Sequence, residues 1–114
     1  MTLRLTPDML AASYDFLRAT EPFKGWKLPE AEEVGFHVIK ARGHCADYSF
    51  ENGIHLIRVS SASNGHTISL IQSMAHEMIH LRQQMLCDRG HHNACFRKMA
   101  ARVCRAHGFD PKIF

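Results

Sequence analysis

The sequence predicts a single α+β domain, with one helix before a three-stranded antiparallel meander and two helices after it. Two observations lead to this prediction. Apolar residues recur at helical spacing towards both ends of the chain, and three short β-type runs lie between them. The chain has 114 residues, enough for one hydrophobic core and too few for a second. We therefore expect one domain over residues 1–114.

The first helix is predicted over residues 7–19. Thr6, Pro7 and Asp8 indicate its start, because threonine caps helices, proline fits the first turn, and aspartate favours the positive end of the helix dipole. Apolar residues at helical spacing follow these three.

The middle of the chain is predicted to form the sheet. Its three β-type runs are residues 34–41, 45–50 and 54–60. Asn52-Gly53 joins the last two runs and is a strong hairpin signal. We therefore expect the three runs to pair as an antiparallel meander.

Two helices are predicted in the C-terminal half. One begins with Thr67 as its cap and continues to about Leu86, and the other covers residues 92–106. Gly108 is expected to end the last helix, because glycine readily adopts the left-handed conformation found there. Apolar residues of the helix that begins at Thr67 form one stripe, and the opposite side is polar.

That polar side carries the motif His76-Glu77-Met78-Ile79-His80, which is H-E-x-x-H. Residues four apart share one face of a helix, so both imidazoles can reach one metal ion. Glu77 is turned about 100° from His76. It can therefore face an open coordination position and act as a general base on zinc-bound water. The motif predicts a catalytic zinc site with Glu77 as the catalytic residue.

A catalytic zinc site needs a third protein ligand. The extended zinc-protease motif requires glycine at position 83 and histidine at position 86, where the sequence has Gln83 and Leu86, and no glutamate follows Glu77. His92 is favoured as the third ligand, because it continues the apolar stripe of the last predicted helix and so faces the rest of the protein. His91 lies about 100° round the same helix and is the alternative third ligand.

The H-E-x-x-H motif, followed after eleven residues by His92-Asn93-Ala94-Cys95-Phe96, resembles the SprT-like zinc metalloprotease domain. That family has a third histidine in an H-G-x-x-F segment opening the next helix, and an A-G-x-x segment similar to residues 41–45. The resemblance covers roughly residues 26–105. It implies a zincin-like minimal core that cleaves peptide bonds, with zinc held by three histidines (His76, His80 and His92). Asn93 stands where the family has glycine, so the turn at the third ligand is expected to differ.

The family includes the Spartan proteases, which degrade protein crosslinked to DNA, so the resemblance implies protein substrates and possible DNA association. Residues 82–114 contain seven Lys/Arg and only two Asp/Glu residues. A basic last helix can meet the phosphates of nucleic acid. The alternative function is a nucleic-acid-binding module with structural zinc and no protease activity. The basic residues concerned are Arg97, Lys98, Arg102 and Arg105.

The four cysteines contain no C-x-x-C pair, and nothing in the sequence indicates secretion, so we expect free thiols and a cytoplasmic location. Cys87 and Cys95 are expected to pack rather than to bind zinc. Peptide deformylases combine H-E-x-x-H with an upstream cysteine, but their cysteine motif is missing around Cys45. No apolar run approaches the roughly 18–20 residues of a membrane span, so no membrane partner is expected.

Two further features concern the substrate. Tyr48 and His44 are candidates for an additional donor to the oxyanion that peptide hydrolysis forms. Residues 54–60 are expected to offer a sheet edge to which an extended peptide adds as another strand. Because backbone pairing recognises extended chain, it predicts loose sequence specificity.

Overall fold

A computed structural model describes residues 4–43, 45–62, 64 and 66–114. These residues form an α+β fold with three α-helices and a three-stranded mixed sheet. In chain order the elements are α1 (Pro7–Arg18), β1 (Val34–Ile39), β2 (Ala46–Glu51), β3 (Ile54–Ser60), α2 (Thr67–Met85) and α3 (Ala94–His107). The α+β class and all six predicted elements are confirmed. Within the described ranges, no helix is long and apolar enough to cross a membrane.

The predicted antiparallel meander is wrong, because the strand order is β1-β3-β2. β1 runs parallel to β3, and β2 pairs antiparallel with β3. The end of β3 is held on both sides, since the N–H of Ser61 donates to the carbonyl of Ile39 and that of Ser60 to the carbonyl of Cys45. β1 and β2 follow one another in sequence but lie on opposite sides of β3, about 10 Å or two strand spacings apart.

Helix α2 lies at the centre of the molecule and contacts α1, α3, β2 and β3. Its predicted apolar stripe is buried at Met74, Met78 and Leu81. Ile79 and Glu77, outside that stripe, are buried as well, because α2 is covered on more than one side. The helix begins at Thr67 but its N-cap residue is His66, which makes no side-chain capping bond, so the prediction that Thr67 caps it is wrong.

Helix α3 begins two residues later than predicted. Asn93 is its N-cap, and the side-chain oxygen of Asn93 accepts a hydrogen bond from the N–H of Phe96 at 3.0 Å. Gly108 ends the helix in the left-handed conformation, as predicted. His91 and His92 therefore lie in the turn between α2 and α3 rather than on a helix.

All four cysteines are free thiols. Cys104 is buried, but Cys87 is exposed, so the prediction that Cys87 packs is wrong. Cys87 has a positive φ of 57° in the turn after α2, where it is exposed. Cys45 precedes β2 and is exposed as well.

Candidate metal centre

Three imidazole nitrogens converge on one point at the surface of α2. The Nε2 atom of His92 lies 3.1 Å from Nε2 of His76 and 3.3 Å from Nε2 of His80. All three potential ligand atoms lie within 4.8 Å of one another. Zinc–imidazole bonds of about 2.0–2.1 Å in a tetrahedron place neighbouring nitrogens about 3.3 Å apart. The cluster could therefore hold a metal ion, and its spacing fits zinc.

One aromatic ring supports all three imidazoles. Phe96 is buried at the start of α3, and its ring centroid lies 4.7 Å from that of His80, 4.7 Å from that of His92 and 5.0 Å from that of His76. The ring stacks on His80 and meets His92 edge-on. This apolar platform restricts the rotation of the imidazoles, which favours a preformed site.

Burial favours the neutral form of both histidines of α2. It is the main reason that the pKa of His76 is lowered to about 4, and the neighbouring His80 and His92 act in the same direction. The pKa of His80 is also lowered, chiefly by burial. A neutral imidazole keeps one nitrogen lone pair, which is the form that binds metal ions.

Glu77 is buried beside the cluster, with only 6% of its surface exposed. Burial raises the pKa of Glu77 to about 8, and the charge of Asp47 adds to the shift. The carboxyl is not one of the three clustered donors. A cation held by the imidazoles would favour the ionised carboxylate, because opposite charges nearby stabilise each other.

The turn that carries His92 is organised by Asp88. Its carboxylate accepts hydrogen bonds from the Gln83 side-chain amide at 3.1 Å, the N–H of Gly90 at 3.1 Å and the Asn93 side-chain amide at 2.9 Å. These hydrogen bonds lower the pKa of Asp88, and the bond from Gln83 has the largest effect. The side chain of Asn93 occupies the space where a Cβ at position 90 would stand. Asn93 therefore holds the turn and caps α3.

Two clefts that share lining residues adjoin at the candidate centre and together form a groove. One cleft, of about 610 Å³, lies along β2, and the second has a volume of about 430 Å³. Ala46, His76 and Glu77 line both clefts. Side chains from Ile113 and Phe114 contribute to the wall of the second cleft.

The strand beside this groove is β2, not β3. β3 is paired on both sides and lies in the centre of the described sheet, so the prediction that it offers a free edge is wrong. Residues 46–50 of β2 line the larger cleft instead. The sheet edge beside the groove is therefore the outer edge of β2.

Of the two predicted oxyanion donors, Tyr48 lines the larger cleft. Its hydroxyl lies 2.6 Å from Nδ1 of His55, so a hydrogen bond already holds it. Burial raises the pKa of Tyr48, which keeps its proton available for donation. His44 lies outside the described residues.

The predicted basic face is present on α3. Arg97, Lys98, Arg102 and Arg105 are all exposed. Arg97 donates to the main-chain carbonyl of His92 at 3.0 Å, which joins this face to the candidate centre. Over the described ranges, none of the four forms an ion pair with an acidic side chain.

Sequence reasoning missed Gln83, which is only 3% exposed and hydrogen-bonded to His80. No protein-family model matches the sequence, and no curated protein is significantly similar to it. The arrangement of the site is therefore the basis for a functional proposal.

Proposed function

We propose that this protein is a zinc-dependent endopeptidase of the SprT-like, zincin-like type, with zinc held by His76, His80 and His92. One observation carries the proposal: three imidazole nitrogens converge at ligand spacing next to the buried carboxyl of Glu77. The two clefts that His76 and Glu77 line support it, because an extended substrate has to reach the reacting centre.

The donor set favours a catalytic site over a structural one. Structural zinc sites usually have four protein ligands, whereas catalytic sites have three and keep one position open. Across the described residues, the cluster contains three histidines and no cysteine. Imidazole donors suit zinc among the common divalent metals.

Zinc bound here would supply a Lewis acid that polarises the scissile carbonyl and lowers the pKa of water. Glu77 would accept a proton from the attacking water and return it to the leaving nitrogen. Its burial removes competing bulk water and strengthens its interaction with charge on the reacting atoms. Tyr48 lies in the wall of the same cleft, and its hydroxyl can donate to the developing oxyanion if the bond to His55 is exchanged.

The substrate we propose is an extended, unfolded segment of protein. The outer edge of β2 offers main-chain donors and acceptors along the groove, and a peptide can add there as another strand. Such pairing uses the main chain, which is common to all sequences. The cleavage pattern is therefore expected to depend on local unfolding more than on a particular motif.

The direct test is hydrolysis of an unfolded protein such as β-casein by zinc-loaded protein. We expect internal cleavage, loss of cleavage when a chelator removes the metal, and recovery when one equivalent of zinc returns. Mass spectrometry of the products locates the cleaved bonds. Absence of cleavage by fully zinc-loaded protein would contradict the proposal.

The exposed basic face of α3 supports a second proposal, that the protein binds DNA and acts on DNA-associated proteins. Replacing Arg102 and Arg105 with alanine is expected to weaken DNA binding. It should also reduce the slope of log affinity against log salt by about 0.9 for each DNA phosphate that the variant no longer neutralises. Fluorescence anisotropy with a short duplex measures both quantities.

The double variant Lys24→Ala/Lys27→Ala is the matched control for that experiment, because it also removes two exposed basic side chains, both outside α3. Equal salt slopes for the control and the α3 variant would contradict the DNA proposal. Salt-sensitive DNA binding by a zinc-loaded protein that cleaves nothing would favour the alternative of a binding module.

A further inference from the structure

We propose that Gln83 is a positioning residue of the metal centre, which fixes the tautomer of His80 and holds the turn that presents His92. This inference rests on the zinc site proposed above. Gln83 is almost completely buried, and each hydrogen bond of its side chain ends on His80 or on the turn between α2 and α3.

On the side of α2, Oε1 of Gln83 lies 2.8 Å from Nδ1 of His80. A glutamine oxygen only accepts hydrogen bonds, so Nδ1 must carry the proton. A neutral imidazole has one N–H, and Nε2 of His80 is therefore left with a free lone pair. Nε2 is the atom that lies 3.3 Å from His92 in the cluster.

The orientation of the amide is fixed independently of His80. The side-chain nitrogen of Gln83 lies 2.7 Å from the main-chain carbonyl of His91 and 3.1 Å from the carboxylate of Asp88. Both of these groups are acceptors at neutral pH. A flipped amide would place its oxygen against both, so only the observed orientation satisfies every partner.

On the side of the turn, the same amide holds an unusual backbone conformation. His91 has a φ of +52°, which is left-handed and unfavourable for a residue other than glycine. At this bend His91 is exposed, and the imidazole of the next residue, His92, joins the cluster. The hydrogen bond from Gln83 to the carbonyl of His91 stabilises the bend. Gln83 thus acts on two of the three proposed ligands.

The first test compares Gln83→Leu with Gln84→Leu. Gln84 neighbours Gln83 and lines the same cleft, yet its side chain makes no hydrogen bond with any described residue. Zinc affinity is measured by competition with a chromophoric chelator. We expect Gln83→Leu to bind zinc about 10–100 times more weakly than the wild type, and Gln84→Leu to differ by less than about twofold.

The second test reads the tautomer directly, by long-range ¹H–¹⁵N correlation of the imidazoles in metal-free protein. We expect His80 to be protonated at Nδ1 in the wild type and in Gln84→Leu, which both keep the Gln83 amide. Gln83→Leu should lose this preference. Should Gln83→Leu fail to fold, Gln83→Met, which has nearly the shape of glutamine and no oxygen acceptor, makes the same comparison.

Two results would overturn the inference: protonation of His80 at Nε2 in the wild type, or equal zinc affinities for Gln83→Leu and Gln84→Leu. Neither measurement depends on turnover. A protein that binds zinc, shows these effects and cleaves no peptide would refute the proposed protease while leaving the role of Gln83 intact.

Discussion

Glu77→Gln is expected to lower kcat/KM for peptide hydrolysis by about 10³-fold, while the protein still binds one zinc ion per chain. Glutamine has nearly the same shape as glutamate but cannot accept a proton from water and return it to the leaving nitrogen. Zinc binding should persist, because the Glu77 carboxyl is not part of the three-imidazole cluster. Initial rates of β-casein cleavage, with zinc measured in the same samples, provide the comparison.

Glu32→Gln is a suitable control, because Glu32 is an exposed carboxylate before β1 that lines neither cleft. Its activity should match that of the wild type. A Glu77→Gln variant that retained more than about a tenth of the wild-type activity would show that Glu77 is not the general base. Loss of zinc together with activity would instead mean that Glu77 is needed for metal binding.

His92→Ala is expected to abolish the stabilisation that zinc gives the wild type, and His91→Ala is expected to retain it. A ligand at 100 times its Kd stabilises the folded state by about 2.7 kcal/mol, which corresponds to roughly 10 °C in Tm for a chain of this size. His92 supplies the nitrogen that lies close to both other imidazoles. His91 is not one of the clustered residues, and its main-chain carbonyl accepts a hydrogen bond from Gln83.

The measurement is Tm with and without zinc, at the same zinc concentration for each variant. The histidines are adjacent in sequence, so the two variants differ little in composition. Zinc-dependent stabilisation that survived in His92→Ala and disappeared in His91→Ala would reverse the assignment of the third ligand.

Much of the candidate site could be predicted because His76, Glu77 and His80 lie close together in sequence on one helix. Helical periodicity alone places His76 and His80 on one face, with Glu77 turned away from them. The structure also brings His92 to the same point, but His92 lies on a different element from the one expected. The sequence argument placed His92 on the apolar stripe of a helix, whereas it lies in the turn that Asn93 ends by capping α3.

The sheet order and the role of Gln83 could not be predicted, because both depend on interactions between residues distant in sequence. Short connections usually join neighbouring strands, and no residue between β1 and β2 indicates that β3 lies between them. Gln83 has no distinctive local pattern. Its amide partners on the turn become visible only when the turn folds back on α2.

The central claim is that three imidazoles hold one zinc ion, and X-ray absorption at the zinc edge tests it most directly. We predict one zinc per chain, with only nitrogen and oxygen neighbours at about 2.0–2.1 Å and outer scattering from three imidazoles. A sulfur shell at about 2.3 Å, or no stoichiometric zinc in protein purified without chelator and supplied with the metal, would contradict the account.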